Sequence, residues 1–327
     1  MIQRHEVSGD FDPDGETHRR RRGGADGQLF GEQAGVDDAP SVDPDGRVGN
    51  GVAECLGQAD EAAAAGSVIA LLYIYPFLIQ LATSFKTDAD ATGHPLSLWP
   101  QHFTTAAFSR LAEADYPRWF ANSVVVALFV TAGRVFFDSL AGYALARLRF
   151  RGRGALFAAV IAVMAVPGVV LLIPKFLVLN QLGMYDSYSG MIVPLLADAA
   201  GVFIMKQFFE SIPISVEEAA RIDGAGTFRT FWSIVLPMAR PALITLTILS
   251  FQGSWNELPH FIVSRQSPDL NTLTTGVASL VSGQLGQGNQ YPIKLAATLL
   301  MTIPVALVFF AFQRHFVRGG TAGATKG

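Results

Sequence analysis

The amino-acid sequence predicts an all-α, polytopic membrane protein, and three observations support this fold class. Of the 327 residues, 50% are hydrophobic and only 16% are charged. The mean hydropathy is +0.34. The charged residues lie in clusters, and the apolar runs between them reach about the 20 residues that a helix needs to cross a bilayer. This arrangement is typical of several transmembrane helices in one chain.

Six apolar stretches are long enough to cross a membrane, and each is expected to be a helix. We place these spans near residues 66–85, 119–142, 154–179, 188–209, 241–263 and 292–313. Several spans contain internal prolines, among them Pro76, Pro167 and Pro304. Transmembrane helices tolerate such prolines because neighbouring groups satisfy the freed backbone carbonyls. The sequence therefore predicts a six-helix transmembrane domain over residues 66–318, followed by a short cytoplasmic tail over 319–327.

Residues 1–65 differ in composition from the rest of the chain. They are rich in Gly, Asp, Ala and Arg, and they lack a periodic apolar pattern that could bury a core. We expect a disordered cytoplasmic tail. The run Arg19–Arg22 has two interpretations, a solvated charged segment or an anchor to anionic lipid head groups. A true start of translation downstream of the tail is a further hypothesis.

Basic residues cluster in alternate loops, which predicts the orientation of the chain by the positive-inside rule. The clusters lie between spans two and three, between spans four and five, and after span six: Arg147, Arg149, Arg151, Arg153, Lys206, Arg221, Arg229, Arg240, Arg314, Arg318 and Lys326. The loop over 181–187 contains no basic residue, and the loop over 264–291 contains only Arg265. We therefore expect both termini, and the loop between spans four and five, on the cytoplasmic side.

The loop over residues 213–241 is a polar, charged segment between two apolar spans. Pro213 ends the preceding helix. Ser215 and Glu218 have the spacing of a capping box, which predicts a short helix that starts at Ser215. Gly224 suits the turn out of that helix. These features alone leave two interpretations, a surface helix–turn–helix between spans or a surface that a partner protein binds.

Many residues of this loop stand at a fixed spacing: Glu218, Ala219, Ala220, Asp223, Gly224, Ala225, Phe231, Ile234, Leu236, Pro237 and Pro241. They resemble the EAA loop of ABC-importer permeases. Three other segments, Asn122-Ser123, Ala141–Phe150 and Trp255-Asn256-Glu257, are similar to the carbohydrate-importer branch of that family. From about residue 66 to the end, the chain resembles a MalG-like permease of the binding-protein-dependent carbohydrate importers.

The resemblance implies a type I, MetI-like transmembrane domain in the bacterial inner membrane, with the EAA helix as a cytoplasmic coupling helix. In that family the EAA loop docks into the ATPase subunit. The residues to which this ATPase-coupling role carries over are Glu218, Ala219, Ala220, Asp223, Gly224 and Ala225. The implied partners are a second, MalF-like permease, an ABC ATPase dimer, an extracytoplasmic solute-binding protein, a sugar substrate and membrane lipid.

No residue pattern indicates catalysis or a bound cofactor. The sequence has no G-x-x-x-x-G-K-[ST] nucleotide-binding motif and no HExxH, and its 6 histidines lack metal-ligand spacing. The lone cysteine, Cys55, excludes an intrachain disulfide. We therefore expect a transport subunit that is not an enzyme, holds no metal or cofactor, binds no nucleic acid and depends on a partner for ATP hydrolysis.

Polar side chains inside predicted spans are candidates for function, because burying them in a bilayer is costly. Arg134 and Asp138 lie four residues apart in span two, where they could form a structural ion pair or serve gating or substrate binding. Trp255, Asn256 and Glu257 in span five are candidates for the substrate pathway, because an aromatic face stacks on a sugar ring and polar groups bind hydroxyls. The alternative is that these three residues pack and cross-link helices.

Two alternatives to a sugar importer stay open. One is an ABC permease for a polyol or another small solute. The other is an ion-coupled secondary transporter, for which an intramembrane charge relay or an internal repeat is the expected sign. Arg134 and Asp138 are only two charged residues, which is few for such a relay. The loop over 213–241 has no role in such a carrier.

Overall fold

The structure is a computed structural model that describes residues 51–282 and 290–324. The chain divides into two compact units, Met1–Ser67 and Val68–Gly327. Most of the predicted N-terminal tail, including Arg19–Arg22, lies outside the described residues, as does the end of the predicted C-terminal tail.

The described backbone is helical and contains no β-strand. Its α-helices, in chain order, are α1 Gly51–Ser84, α2 Asp88–Gly93, α3 Ala106–Glu113, α4 Tyr116–Arg147, α5 Arg153–Met164, α6 Leu172–Gln181, α7 Tyr188–Ile192, α8 Ala199–Ser211, α9 Ile214–Ile222, α10 Thr227–Thr230, α11 Leu236–Met238, α12 Arg240–Trp255, α13 Pro259–Ser264, α14 Leu273–Ser282 and α15 Tyr291–Ala324. Short 3₁₀ segments lie at Gly168–Leu171, Val193–Leu195 and Pro268–Leu270, and a π-helical turn lies at Phe231–Val235.

Several helices are long and apolar enough to cross a membrane. Four segments of the described chain meet this test singly: Ala63–Ser84, Tyr116–Arg147, Tyr188–Ser211 and Tyr291–Phe312. Two bent helix pairs meet it together: Arg153–Met164 with Gly168–Gln181, bent by 100°, and Thr227–Met238 with Arg240–Trp255, bent by 80°. The described residues therefore provide between four and six spans, and the predicted number is the upper limit of this range.

The first helix begins well before the first predicted span. α1 starts at Gly51, so residues 51–65 are helical where the sequence predicts a disordered tail. Four consecutive alanines at positions 62–65 account for the difference, because alanine has the highest intrinsic helix propensity.

Three predicted spans are interrupted; in the fourth, α7 ends at Ile192 and α8 begins at Ala199. In the third, α5 ends at Met164, and Pro167 occupies the N-cap position of the following 3₁₀ turn. Proline lacks the N–H that would continue the helix, and its ring clashes with the preceding turn. In the fifth, α12 ends at Trp255 and α13 begins at Pro259.

Helix α4 is central to the unit Val68–Gly327, and its most extensive contacts are with α8 and α12. Gly142 allows the close approach to α8, because a Cβ at this position would lie 2.7 Å from Cβ of Met205 and 2.9 Å from the backbone nitrogen of Lys206. The buried cluster beside this crossing consists of Tyr143, Ala146, Met205, Phe209, Ile212, Phe231, Val235, Ala239, Ala242 and Leu246. Since Phe231 and Val235 belong to the loop over 213–241, this cluster fixes the loop against the end of α4.

Candidate functional site

Helix α9 forms the first part of the loop over 213–241, and it begins differently from the prediction. α9 starts at Ile214, Pro213 occupies the N-cap position, and no side chain caps the first turn. The predicted capping box of Ser215 and Glu218 is therefore wrong. Pro213 suits the helix entry because its ring fixes φ, here at −58°, and its missing N–H would have no partner there.

α9 has one buried face and one exposed face. Glu217 and Ala220 are buried, whereas Glu218 and Ala219 are exposed. Of the six residues predicted to couple to an ATPase, Ala220 thus faces the protein interior. The remaining three lie at the end of the helix, with two exposed and one half-buried: Asp223, Gly224 and Ala225.

Apolar side chains stand exposed around this helix. The side chain of Ile222 is 86% exposed, and Ile214 and Phe228 are also largely exposed. Phe228 stacks on Trp232, which is half exposed, with ring centroids 6.2 Å apart. Exposed apolar side chains clustered in an otherwise polar loop are typical of a surface that binds a protein partner. We call the exposed residues Ile214, Glu218, Ala219, Ile222 and Phe228 the α9 surface.

Gly224 ends α9 in the left-handed conformation, with φ +80°. The N–H of Ala225 donates to the carbonyl of Ala220 at 2.9 Å, and the N–H of Gly224 donates to the carbonyl of Arg221 at 3.0 Å. These two bonds form a Schellman motif, which satisfies carbonyls that the helix end would leave free. The predicted turn at Gly224 is confirmed.

A buried ion pair joins α9 to the end of α4. Nε of Arg147 lies 3.0 Å from Oε1 of Glu217, and the hydroxyl of Tyr143 donates to Oε2 of Glu217 at 3.4 Å. The guanidinium also donates to the carbonyls of Phe209, at 2.5 Å, and Ile212. Sequence reasoning missed this site, although its parts lie in the segment Ala141–Phe150 and directly before the EAA motif.

The remainder of the loop returns to the membrane through a distorted helix. The π-helical turn Phe231–Val235 separates α10 from α11. Phe231 is buried. The centroid of its ring lies 4.9 Å from the ring centroid of Tyr143 and 6.3 Å from that of Phe209. Both ends of the loop are therefore anchored on the same region of α4 and α8.

Arg134 and Asp138 form no ion pair with each other, so this predicted pairing is wrong. Nε of Arg134 donates to the carbonyl of Leu195 at 2.8 Å, and Oδ1 of Asp138 accepts from the N–H of Asp198 at 3.0 Å. Both side chains in α4 thus contact backbone that precedes α8. Spacing along one helix could not reveal these partners, because they lie 61 and 60 residues later in the chain.

The three residues proposed for the substrate pathway have different environments. Trp255 is 2% exposed, its ring stacks on Phe251, and Nε1 donates to the carbonyl of Met301 at 3.1 Å. Oε1 of Glu257 accepts from the N–H of His260 at 2.9 Å, at the start of α13. Asn256 is exposed, and its amide donates to the carbonyl of Gln252 in its own helix at 3.0 Å. The structure therefore places Trp255 and Glu257 in structural contacts and leaves Asn256 accessible.

The segment Asn122-Ser123 fastens a loop onto α4. Nδ2 of Asn122 donates to the carbonyls of Asp269 and Asn271, each at 2.8 Å. Oγ of Ser123 accepts from the N–H of Leu273 at 2.8 Å, at the first residue of α14. These side chains hold the connection between α13 and α14 in place.

The described residues contain no group of three or more His, Cys, Asp or Glu side chains that could hold a metal ion. His260 is buried, and Nε2 lies 3.2 Å from the carbonyl of Met191. His94 lies 3.6 Å from Asp90, one helical turn earlier. His260 thus contacts α7, and His94 contacts its own helix α2.

The sequence profile of one protein family, described as "Binding-protein-dependent transport system inner membrane component", matches residues 138–319. The arabinooligosaccharides transport system permease protein AraQ of Bacillus subtilis (strain 168) is 33% identical over 264 residues, which cover 80% of this chain and 93% of that protein. The sulfoquinovosyl glycerol transport system permease protein SmoH of Agrobacterium fabrum is 34% identical over 270 residues, covering 80% and 92%.

Two further similarities extend this set. The sn-glycerol-3-phosphate transport system permease protein UgpE of Yersinia enterocolitica is 32% identical over 256 residues, covering 76% of this chain and 91% of that protein. Among solved structures, a chain of a bacterial ABC transporter involved in the import of the acidic polysaccharide alginate superposes with a TM-score of 0.68 at 25% identity. That superposition covers 81% of this chain and 98% of the other.

Proposed function

The chain belongs to the family of binding-protein-dependent transport system inner membrane components, and on this premise we propose that it forms half of the translocation pathway of an ATP-driven sugar importer. It is a multi-pass membrane permease subunit of the ABC importer class and not an enzyme. The names of its relatives refer to arabinooligosaccharides, sulfoquinovosyl glycerol and sn-glycerol-3-phosphate. Each of these solutes carries more than one hydroxyl group, which supports a sugar or sugar derivative as the substrate.

The α9 surface is the proposed contact with the ATPase. The observation that carries this proposal is the division of α9 into two faces, with Glu217 and Ala220 buried and Ile222 86% exposed. A helix held so firmly on one side presents a rigid, partly apolar face on the other. Small side chains such as Ala219 allow a partner to come close to the helix backbone, and Glu218 offers it a carboxylate.

The α9 surface belongs on the cytoplasmic side in this proposal, where ATP is available. The basic residues that flank it support this orientation, because cytoplasmic loops carry an excess of Lys and Arg. Arg149 and Arg151, in the turn between α4 and α5, are exposed, and Arg221 lies within α9. Both chain termini then also lie in the cytoplasm.

The complete importer contains two permeases, two ATPase subunits and an extracytoplasmic solute-binding protein. This chain supplies one permease, and a second, MalF-like permease completes the pathway. ATP binding closes the ATPase dimer and moves the two α9 surfaces together, which turns the pathway from inward-open to outward-open to receive the solute. The movement transmits work only if α9 is firmly attached to the spans.

Asn256 is the proposed contact of this chain with substrate. It is exposed at the end of α12, and its amide oxygen accepts no hydrogen bond within the described residues. Trp255 and Glu257 instead position the break between α12 and α13. A polyol would make similar contacts with Asn256, so an importer for a polyol is the second candidate.

Co-purification tests the proposed ATPase contact. The chain is co-expressed with the other subunits of its transporter, purified in detergent, and compared with Ile222→Glu and Ser109→Glu. Ser109 is the matched control, because it is also exposed but lies on α3, in the loop that the proposed orientation places outside. We expect Ile222→Glu to lose most of the ATPase subunit while Ser109→Glu retains it. Equal retention by both variants would show that α9 is not the contact.

A further inference from the structure

Arg147 ends α4, and its guanidinium connects three helices at one point. Nε lies 3.0 Å from Oε1 of Glu217 in α9. The same guanidinium donates to the carbonyl of Phe209, in the last turn of α8, and to that of Ile212, its C-cap residue. The last carbonyls of a helix have no partner within it, and a cation at that end also interacts favourably with the helix dipole.

Glu217 is the corresponding group on α9, and its Oε1 contact with Nε of Arg147 is an ion pair without hydrogen-bond geometry. Oε1 faces Arg147, and Oε2 accepts from the hydroxyl of Tyr143 at 3.4 Å. Tyr143 lies one helical turn before Arg147 in α4. Arg221 is a more distant neighbour at 4.0 Å, and its side chain is 65% exposed.

The pair is buried, which distinguishes it from an ordinary surface ion pair. The side chains of Arg147 and Glu217 are 9% and 3% exposed. Exposed ion pairs contribute little, whereas removing one partner of a buried pair leaves an uncompensated charge in the protein interior. The pair therefore resists separation when a force acts on α9.

Apart from its covalent link to α8 through Ile212 and Pro213, α9 has little other attachment to the spans. Among the described helices, its main backbone contact is with α10 rather than with α4, α8 or α12. Its inward face offers only Glu217 and the small Ala220 as buried side chains. Glu217 is therefore the direct side-chain link through which a load applied to α9 reaches α4, beside the covalent link to α8.

We propose that Arg147 and Glu217 form the joint that makes α9, α4 and the end of α8 move as one body, so that they determine how much transport each ATP hydrolysis drives. Both are positioning residues, because they act through α9 and touch neither ATP nor solute. The inference rests on the proposed ATPase contact at the α9 surface. It assigns the ATPase contact and the transmission of its movement to different faces of the same short helix.

The test uses the complete transporter reconstituted in proteoliposomes with its binding protein and the solute that this protein binds. Three quantities are measured for each variant: retention of the ATPase subunit, ATP hydrolysed, and solute taken up. For Glu217→Gln we expect retention within about twofold of wild type and a fall of about tenfold in solute transported per ATP, since couplings between sites commonly amount to 5–150-fold. Arg221→Gln is the matched control and should leave that ratio unchanged. If Glu217→Gln transports as much solute per ATP hydrolysed as the wild type, the proposed joint is wrong.

A double-mutant cycle keeps the test decisive if a single variant is unstable. Arg147→Met, Glu217→Met and the double variant are compared for transport per ATP. A joint predicts that the double variant is no worse than either single variant, because each single change already breaks the same contact. Independent, additive losses would overturn the proposal. If the wild type itself retains no ATPase subunit, the proposed function fails instead, so the two failures are distinguishable.

Discussion

Oδ1 of Asp138 accepts a hydrogen bond from the backbone N–H of Asp198 at 3.0 Å, and this contact joins the middle of α4 to the start of α8. Asp198 in turn caps α8, because Oδ2 accepts from the N–H of Gly201 at 3.3 Å. Asp138 is fully buried. The two aspartates therefore fix how α8 begins against α4, with Gly201 at the point of closest approach.

Gly201→Ala should destabilise this crossing. A Cβ at position 201 would collide with Oδ2 of Asp138 and lie 3.0 Å from Cδ1 of Leu246. Overpacking of this kind typically costs about 1–3 kcal/mol, so thermal unfolding in detergent should shift to lower temperature. Gly226→Ala is the control, since a Cβ there meets nothing within 4 Å. Equal unfolding temperatures for both variants would contradict the close approach.

Replacing Gly224 should impair transport without preventing membrane insertion. The φ of +80° is costly for a residue with a Cβ, by roughly 1–2 kcal/mol, although no neighbouring atom would meet that Cβ. Any loss of transport should therefore come from backbone strain and not from a steric clash. We expect uptake to fall further in Gly224→Ala than in Gly224→Asn, because asparagine tolerates this conformation better. The control is again Gly226→Ala, at φ −70°; a matching loss in that variant would rule out strain as the cause.

Trp255→Phe and Asn256→Ala should separate packing from substrate binding. Trp255→Phe keeps the aromatic packing but loses the hydrogen bond to the carbonyl of Met301, at a cost of about 1 kcal/mol in stability. Its KM for solute should not change. Asn256→Ala should instead raise KM with little effect on the unfolding temperature, because the side chain is exposed. The opposite pattern would place Trp255 in the substrate pathway.

Asp186 should make stability depend on pH in the acidic range. Donors from Ser267 and from the N–H of Gln266 hold the pKa of this carboxyl below its ordinary value. A lowered pKa in the folded state stabilises the fold above the unfolded-state pKa of about 3.9, and that stabilisation is lost as pH falls through the folded-state pKa.

Unfolding temperatures of wild type and Asp186→Asn, measured from pH 7 to pH 3, check this expectation. Asparagine suits the position because its φ is 56°. The wild type should unfold at the higher temperature down to about pH 4, and its advantage should then shrink. A difference in unfolding temperature that grows in favour of the wild type as pH falls would contradict a lowered pKa of Asp186.

Local sequence features were sufficient to predict the apolar helices and the turn at Gly224. Each depends on residues near in sequence, through span length or through the need for a left-handed conformation. The helix start at Ile214 was missed even so, because Pro213 and the box of Ser215 and Glu218 offer competing signals within six residues.

Contacts between distant segments could not be predicted in the same way. The sequence indicates Arg147 only as part of a basic cluster, and Glu217 only as the residue directly before the EAA motif. Their pairing depends on the packing of α4, α8 and α9, which periodicity within one helix does not encode. The same reason explains why Asp138 contacts Asp198 rather than Arg134, its neighbour one turn away.

Cross-linking in the membrane tests most directly whether α9 meets the ATPase. Cys55 is the lone cysteine, so Cys55→Ser provides a background in which Ile222→Cys, or Ser109→Cys as control, carries the only thiol of this chain. The complete transporter is treated with a short heterobifunctional reagent, one end of which reacts with a thiol and the other with a lysine amine, and its subunits are separated by mass. We predict that Ile222→Cys links this chain to the ATPase subunit and that Ser109→Cys does not. A chain with Ile222→Cys that stays unlinked to the ATPase, yet reacts with a membrane-impermeant reagent from outside the cell, would contradict the account.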